Sequence, residues 1–373
     1  MFDATAIDFL KQLSEAFGPP GFESEPARLL RDYVAPHCDE VRTDRLGSLL
    51  FSRRGGADRP TVLLPGHIDE VGFIVSGITK QGFLTFNPVG GWFDQVLLAQ
   101  RVRIRTRARQ MLQGVIAAKP PHLLEPDERN KVVKQHKMFI DIGASNREEA
   151  EAMGITIGDP IVPDSRFSTI TKPVIEDRQP RGETMLCMGK AFDDRVGAFM
   201  AAEVVRRLAQ GIEHPNTVVG AGTAQEEVGL RGARTTAWLA QPDVCLVLEV
   251  DIAKDVPGVE QDGTPVKMGA GPTILTFDSS MVPNQGLLEL VMETAGAEHI
   301  PYQLSQIRRG GTDAGAIHIA HAGCPCVVLG VPTRHIHSHV ALLSLDDVER
   351  CIELVLAVVR RLDQSTVDGF TQL

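Results

Sequence analysis

The stretch Thr217-Val-Val-Gly-Ala-Gly-Thr-Ala-Gln-Glu-Glu-Val-Gly229 decides how the chain is read. Thr217 to Gly222 form an apolar, strand-like run, and two adjacent carboxylates, Glu226 and Glu227, follow it just ahead of a Gly-punctuated turn. Neighbouring side chains on an extended backbone point to opposite faces. The two acids can therefore share a site only where the strand ends and the chain curls. Alone, the pair also reads as a solvated helix start, where acids favour the N-terminal end of the dipole.

Outward from this stretch the same texture repeats. Downstream of Pro173, helical spacing over Val196–Leu208, Asn284–Ala295, Asp313–His321 and Asp346–Leu362 alternates with strand-like runs at Val244–Val250 and Cys326–Val331. Upstream, Ile7, Leu10, Leu13 and Phe17 mark a first helix stopped by Gly18-Pro-Pro-Gly21, and Leu29, Leu30 and Tyr33 mark a second. Strands at Thr43–Phe51 and Thr61–Leu64 follow, the latter running into Pro65-Gly-His-Ile-Asp-Glu-Val-Gly72. Strands alternating with helices predict an α/β fold, with a mixed, mostly parallel sheet sandwiched by helices.

From Phe73 to about Ile170 short β-type runs alternate with Gly turns, and a helix is suggested only near Arg147–Met153. This predicts an inserted small, barrel-like β domain over 72–171, interrupting a discontinuous α/β domain over 1–71 and 172–373. Arg101-Val-Arg-Ile-Arg-Thr-Arg107 has strand periodicity and reads as a strand with one solvated face. Pro120–Lys137, rich in charge and proline, reads as a loop that is either mobile or open to a partner subunit.

The chain has 373 residues, 43% hydrophobic and 23% charged, with a formal net charge of -10. That balance suits a soluble globular chain and argues against nucleic acid and anionic membrane surfaces, both of which reward Lys/Arg clusters. No apolar run approaches the roughly 20 residues of a membrane helix, and no export signal is visible, so a cytoplasmic location is expected. The six cysteines form no CxxC pair and read as reduced thiols, with Cys324 and Cys326 buried at the head of a strand.

Five segments of the α/β part put His, Asp or Glu at a strand end or in the loop beyond it. They are His67 and Asp69, Asp193 and Asp194, Glu226 and Glu227, Asp251, and His335 and His337. Ligands of open α/β sheets bind beyond the carboxyl ends of the strands, so five segments deliver donors to one edge. Imidazole with carboxylate suits a pair of zinc-like divalent ions better than calcium or magnesium. Each segment alone has a plainer reading: Asp193 as a helix N-cap, His67 as a core histidine, and His335, His337 and His339 as a polar strand face.

With these residues in this order, the chain resembles the M42 family of metallo-aminopeptidases, the tetrahedral-type peptidases. The resemblance rests on Gly66-His-Ile-Asp-Glu-Val-Gly72, Gly189-Lys-Ala-Phe-Asp-Asp-Arg-Val-Gly197, Gln225-Glu-Glu-Val-Gly-Leu-Arg-Gly-Ala233, Glu249-Val-Asp-Ile-Ala-Lys-Asp255, Gly310-Gly-Thr-Asp-Ala-Gly315 and Pro332-Thr-Arg-His-Ile-His-Ser338. Gly114-Val-Ile and Phe139-Ile-Asp-Ile-Gly-Ala144 extend it through the insertion.

The resemblance implies two divalent ions per subunit, zinc first, with cobalt or manganese as alternatives. It assigns His67 and Asp251 to one ion and Glu227 and His337 to the other, with Asp193 bridging and a cis peptide between Asp193 and Asp194. Glu226 becomes the general base, and Asp69 the acid that orients the His67 imidazole. Asp313, with Thr312 and Gly311, is a candidate for the substrate site. His335 stands where the family usually has Tyr, which leaves two imidazoles competing for one role; His337 is preferred.

The implied activity is removal of N-terminal residues from peptides with a free amino terminus. The insertion implies a dimerisation domain, with dimers joined into a hollow dodecamer. A di-metal deacylase is the alternative; an endoglucanase is disfavoured, because two Trp and two Tyr offer few sugar platforms.

Overall fold

The computed structural model describes residues 2–127, 129–176, 179–259 and 266–371. Four apolar strands form its middle, in the spatial order Thr217–Thr223, Thr61–His67, Val244–Ile252 and Cys326–Arg334, all parallel. Their interiors are buried throughout, as near-continuous apolar runs require when helices cover both faces. Further strands extend the sheet to eleven among the described residues: Leu49–Arg54 and Glu40–Thr43, paired antiparallel, on one side, Ala341–Ser344, Gln179–Gly189 and Ser168–Glu176, also antiparallel, on the other, and Thr273–Asp278, antiparallel to Cys326–Arg334 and parallel to Gln303–Ile307.

The period-2 alternation of these strands divides the core in two. Val62, Leu64, Leu246, Leu248, Val327 and Leu329 face one cluster, which includes the helices Ala4–Glu15, Phe192–Leu208 and Leu345–Val359. Leu63, Cys245, Val247 and Val328 face a second cluster, under Arg231–Ala240 and Ala314–Ile317. The predicted sandwich is therefore observed. Gly66 brings helix and strand end together: a Cβ there would lie 2.3 Å from the Ala198 nitrogen and from the Gly197 carbonyl carbon.

Between Gly72 and Pro163 six strands close an antiparallel barrel around its own apolar core, which includes Phe73, Val75, Leu84, Val102, Ile104 and Ile140. The Arg101–Arg105 face is not solvated throughout. Arg101 is exposed, but Arg103 donates to the Glu15 carbonyl at 2.7 Å, and the Arg105 guanidinium lies 4.2 Å over the Phe17 ring. That face forms the seam between barrel and N-terminal helix, where the long stems of arginine cover apolar surface.

Two other expectations change. The hairpin Ser168–Glu176/Gln179–Gly189 belongs to the large sheet, although its sequence gave no strand signal. The helix expected over Asp313–His321 spans only Ala314–Ile317, and the chain turns away where His321 takes a left-handed φ of 53°. All six cysteines are free, with Cys324 and Cys326 buried. No helix among the described residues is long and apolar enough to cross a membrane.

Candidate metal centre

The donors collect where parallel register puts them. His67 ends its strand and pairs with Thr223, the last residue of the neighbouring one. The backbone then turns at Gln225, φ 59°, and releases Glu226 and Glu227 into the crevice. On the other side of His67, the register Cys245↔Leu63 carried four residues further sets Glu249 opposite His67. Asp193 and Asp194 sit at the head of Phe192–Leu208 with non-helical dihedrals, and the peptide bond between them is cis, as the resemblance implies. His337 comes from the loop after Cys326–Arg334.

The side chains meet around Asp193. Its Oδ1 lies 3.1 Å from His67 Nε2, and its Oδ2 lies 3.2 Å from His337 Nε2. Glu227 Oε1 is 3.7 Å from His337 Nε2, and Glu226 Oε2 is 3.8 Å from His67 Nε2. Beneath them Asp69 accepts from the backbone N–H groups of Glu226 at 3.0 Å and Glu227 at 3.1 Å. Its Oδ1 also stands 3.4 Å from His67 Nδ1. One buried aspartate thus ties the first histidine to the glutamate pair.

Burial drives the electrostatics. It pushes Glu227 up to about 8 and lifts Glu226, Asp194 and Glu249 well above the usual carboxylate range. Asp193 is an exception: burial raises it, but hydrogen bonds from His337 and His67 more than offset that and hold it below the ordinary value. His337 moves up to about 10, since Asp193 and Glu227 outweigh the lowering caused by burial.

The donor set fits divalent cations. Ligand atoms of His67, Asp193 and Glu227 lie within 4.8 Å of one another, as do those of His67, Asp194 and Glu249. Carboxylates outnumber imidazoles in this buried crevice, and the buried Glu227 Oε1 has no hydrogen-bond partner among the described residues. An uncompensated buried charge is costly, and a cation held by nitrogen and oxygen donors would relieve it.

Asp251 lines the cavity over the centre but belongs to neither donor group; its Oδ1 accepts from the Ile252 N–H at 2.7 Å. Burial raises its pKa while the Ser305 and Thr273 hydroxyls oppose that rise. It lies two residues past Glu249 on the same strand face, beyond the end of Thr61–His67. Sequence reading passed over Glu249, although Glu249-Val-Asp251 offers two acids at period 2 and only register distinguishes them. His335 is exposed, and it is His337 that faces Asp193.

A cavity of about 690 Å³ opens over the centre, and Gly311 and Thr312 line it together with His67, Asp193, Glu226, Glu227, Glu249 and His337. Thr312 is fixed by Asp278, which accepts from its hydroxyl at 2.7 Å. Asp313 is buried behind the wall, accepting from the Thr223 hydroxyl.

Comparison with known proteins places this arrangement. Residues 47–354 match the family described as M42 glutamyl aminopeptidase. The chain is 56% identical to a TET aminopeptidase from the marine sediment archaeon Thaumarchaeota archaeon SCGC AB-539-E09, with a TM-score of 0.92 over 98% of this chain and 99% of that one. It is 32% identical to the lysyl aminopeptidase of Pyrococcus furiosus, over 95% of this chain and 97% of the relative. The Pyrococcus horikoshii TET1 peptidase, which can assemble into a tetrahedron or a large octahedral shell, is 28% identical, with a TM-score of 0.81 over 96% of this chain and 100% of its own.

Proposed function

The chain belongs to the M42 glutamyl aminopeptidase family and is a peptide hydrolase of the aminopeptidase type, and from that premise we propose that it removes N-terminal residues from peptides at a pair of divalent metal ions. The observation that carries this reading is the convergence of His67, Asp193 and Glu227 ligand atoms within 4.8 Å, with the His337 imidazole on the far side of Asp193. His67 and Glu249 would hold one ion, Glu227 and His337 the other, and Asp193 both. Glu249 replaces Asp251 in this assignment because it shares a donor group with His67. Zinc is the first expectation, and cobalt or manganese suit the same donors.

Such ions supply Lewis acidity and bring water within reach of deprotonation near neutral pH. Glu226 is the base. Its Oε2 stands at the centre, 3.8 Å from His67 Nε2, and takes the proton of the attacking water, then gives it to the departing amine. Burial favours the protonated carboxyl in that second role. Asp69 holds the glutamate pair by both backbone N–H groups and keeps the His67 ring in place. Gly311 and Thr312 form part of the peptide-binding wall, with Asp313 supporting them from behind. The surplus of carboxylates favours a substrate that presents a free ammonium group.

Residues 72–171 are read as an inserted dimerisation domain, and the dimers as units of a hollow dodecamer; shell formation by the Pyrococcus horikoshii relative supports this. A cytoplasmic location belongs to the same reading. The test is metal analysis combined with turnover of aminoacyl anilides. Glu226→Gln should keep its metal while kcat drops roughly 10²-fold or more; Glu227→Ala should lose metal. Full activity in Glu226→Gln would remove the base, and undiminished metal in both Glu227→Ala and Glu249→Ala would remove the ligand assignment.

A further inference from the structure

The two imidazoles of the centre are supported differently. His67 Nδ1 lies 3.2 Å from the carbonyl of Asp69, two residues along in its own turn. His337 has no such local partner: it follows the strand Cys326–Arg334 in a loop where both His335 and His337 take left-handed φ, and its side chain is 38% exposed. Its Nδ1 instead meets the carbonyl of Gly91 at 2.7 Å, in the barrel loop after Leu84–Val89. A carbonyl can only accept, so Nδ1 donates to Gly91 and it is Nε2 that faces Asp193 and Glu227.

That approach depends on two glycines. A Cβ on Gly91 would stand 3.0 Å from His337 Nδ1 and 3.2 Å from its Cε1. Gly90 has φ +85°, and a Cβ there would come within 2.8 Å of Val71 Cγ1 and 3.2 Å of Glu227 Oε2. The next residue anchors the loop: Trp92 Nε1 donates to the Gly72 carbonyl at 3.0 Å, and its ring stacks on Phe73 with centroids 4.7 Å apart. Phe73 is in the barrel core, while a second ring against Trp92, His339 at 5.4 Å, belongs to the His337 loop. The indole therefore spans barrel and catalytic body.

We propose that Gly90-Gly91-Trp92 is a positioning element of the catalytic centre, through which the inserted barrel sets the ring orientation and tautomer of His337. The inference rests on the reading of His337 as a metal ligand. It gives the barrel a part in every active site, separate from any role between subunits. An outer-sphere acceptor of this kind typically contributes 10–100-fold to metal affinity.

The test is a cobalt titration of the metal-free full-length protein, followed by absorption and chelator competition, with thermal unfolding of the metal-free form alongside. Gly91→Ala should bind one ion like wild type and the other about 10–100-fold more weakly, with a changed cobalt band and kcat lowered more than KM is raised. Metal-free Tm should stay near wild type. Trp92→Phe, which keeps the stack but loses the bond to Gly72, should show a smaller loss, and Trp92→Ala a larger one. These two carry the test if Gly91→Ala does not fold. Wild-type affinity and spectrum in Gly91→Ala, or in both Trp92 variants, would overturn the inference and leave the ligand assignment standing. His337→Ala must lose an ion in the same titration; if it binds two as wild type does, the ligand reading fails and the inference with it.

Discussion

Glu249 and Asp251 share one face of one strand, separated by two residues, or about 6.6 Å. In the reading above that step separates a ligand from a bystander. Glu249→Gln is expected to reduce bound metal from two ions towards one per chain, whereas Asp251→Asn leaves the content unchanged; metal analysis after gel filtration distinguishes the two. The sequence offered both acids, but period 2 puts them on one face and cannot say which reaches His67. That depends on the stagger between two strands far apart in the chain. The Asp193, Glu227 and His337 convergence was more legible, because each residue follows a strand or turn signal of its own. Asp347 is a residue the sequence did not mark at all. It accepts from the Gly269 N–H at 2.5 Å and the Gly271 N–H at 2.8 Å, and burial lifts it to about 6, with Arg350 lowering and Asp346 raising it. Its ordinary pKa is about 3.9, so the folded state holds this proton more tightly. The resulting stability is fully present below about pH 4 and is lost as pH rises through about 6, a difference of order 2–3 kcal/mol. Asp347→Asn should show a flatter Tm profile than wild type between those limits.

At the level of elements, two close fits hold the strand ends against the helices. Gly66→Ala would drive a methyl group into the backbone of Gly197 and Ala198, and is expected to cost about 1–3 kcal/mol or more, read as a lowered urea midpoint. Arg195, fully buried, donates to the carbonyls of Leu13, Ala16, Gly18 and Ile68 and to Glu70 Oε1 at 2.8–3.2 Å. It ties the C-terminal end of the helix Ala4–Glu15 to the turn that carries His67 and Asp69. Replacing it by Met leaves Glu70 paired with Lys190 Nζ at 2.6 Å but takes a donor from four carbonyls, and should cost about 1–3 kcal/mol for each acceptor left without a partner; Lys, with three donors, should recover only part. The strand–helix alternation was legible because apolar runs and helical spacing are local signals. The hairpin Ser168–Glu176/Gln179–Gly189 was not: its first strand is largely exposed and shows no period-2 alternation, and its place is decided by pairing with Ala341–Ser344.

For the whole molecule, the reading of residues 72–171 as a dimerisation domain makes oligomeric state the measurement to take. Light scattering is expected to give a mass several-fold above the 40.5 kDa of one chain, and a stable monomer would count against assembly. Composition legibly separated the β insertion from the α/β body, through short runs and Gly turns against long helices. It did not show that the two share a seam, because Arg103 and Arg105 look like solvated strand residues until the helix end that they cover is in place. The spread of the donors along the chain has a consequence for biosynthesis. His337 is made 270 residues after His67, and the strand leading to His337 lies inside the sheet, between Val244–Ile252 and Ala341–Ser344. At about 5–20 residues per second, those two imidazoles leave the ribosome some tens of seconds apart. On the ligand reading proposed above, the first histidine and its neighbouring acids would face the cell during translation as loose, competing chelators, and ions could be selected by the full donor set only once the chain through His337 has emerged.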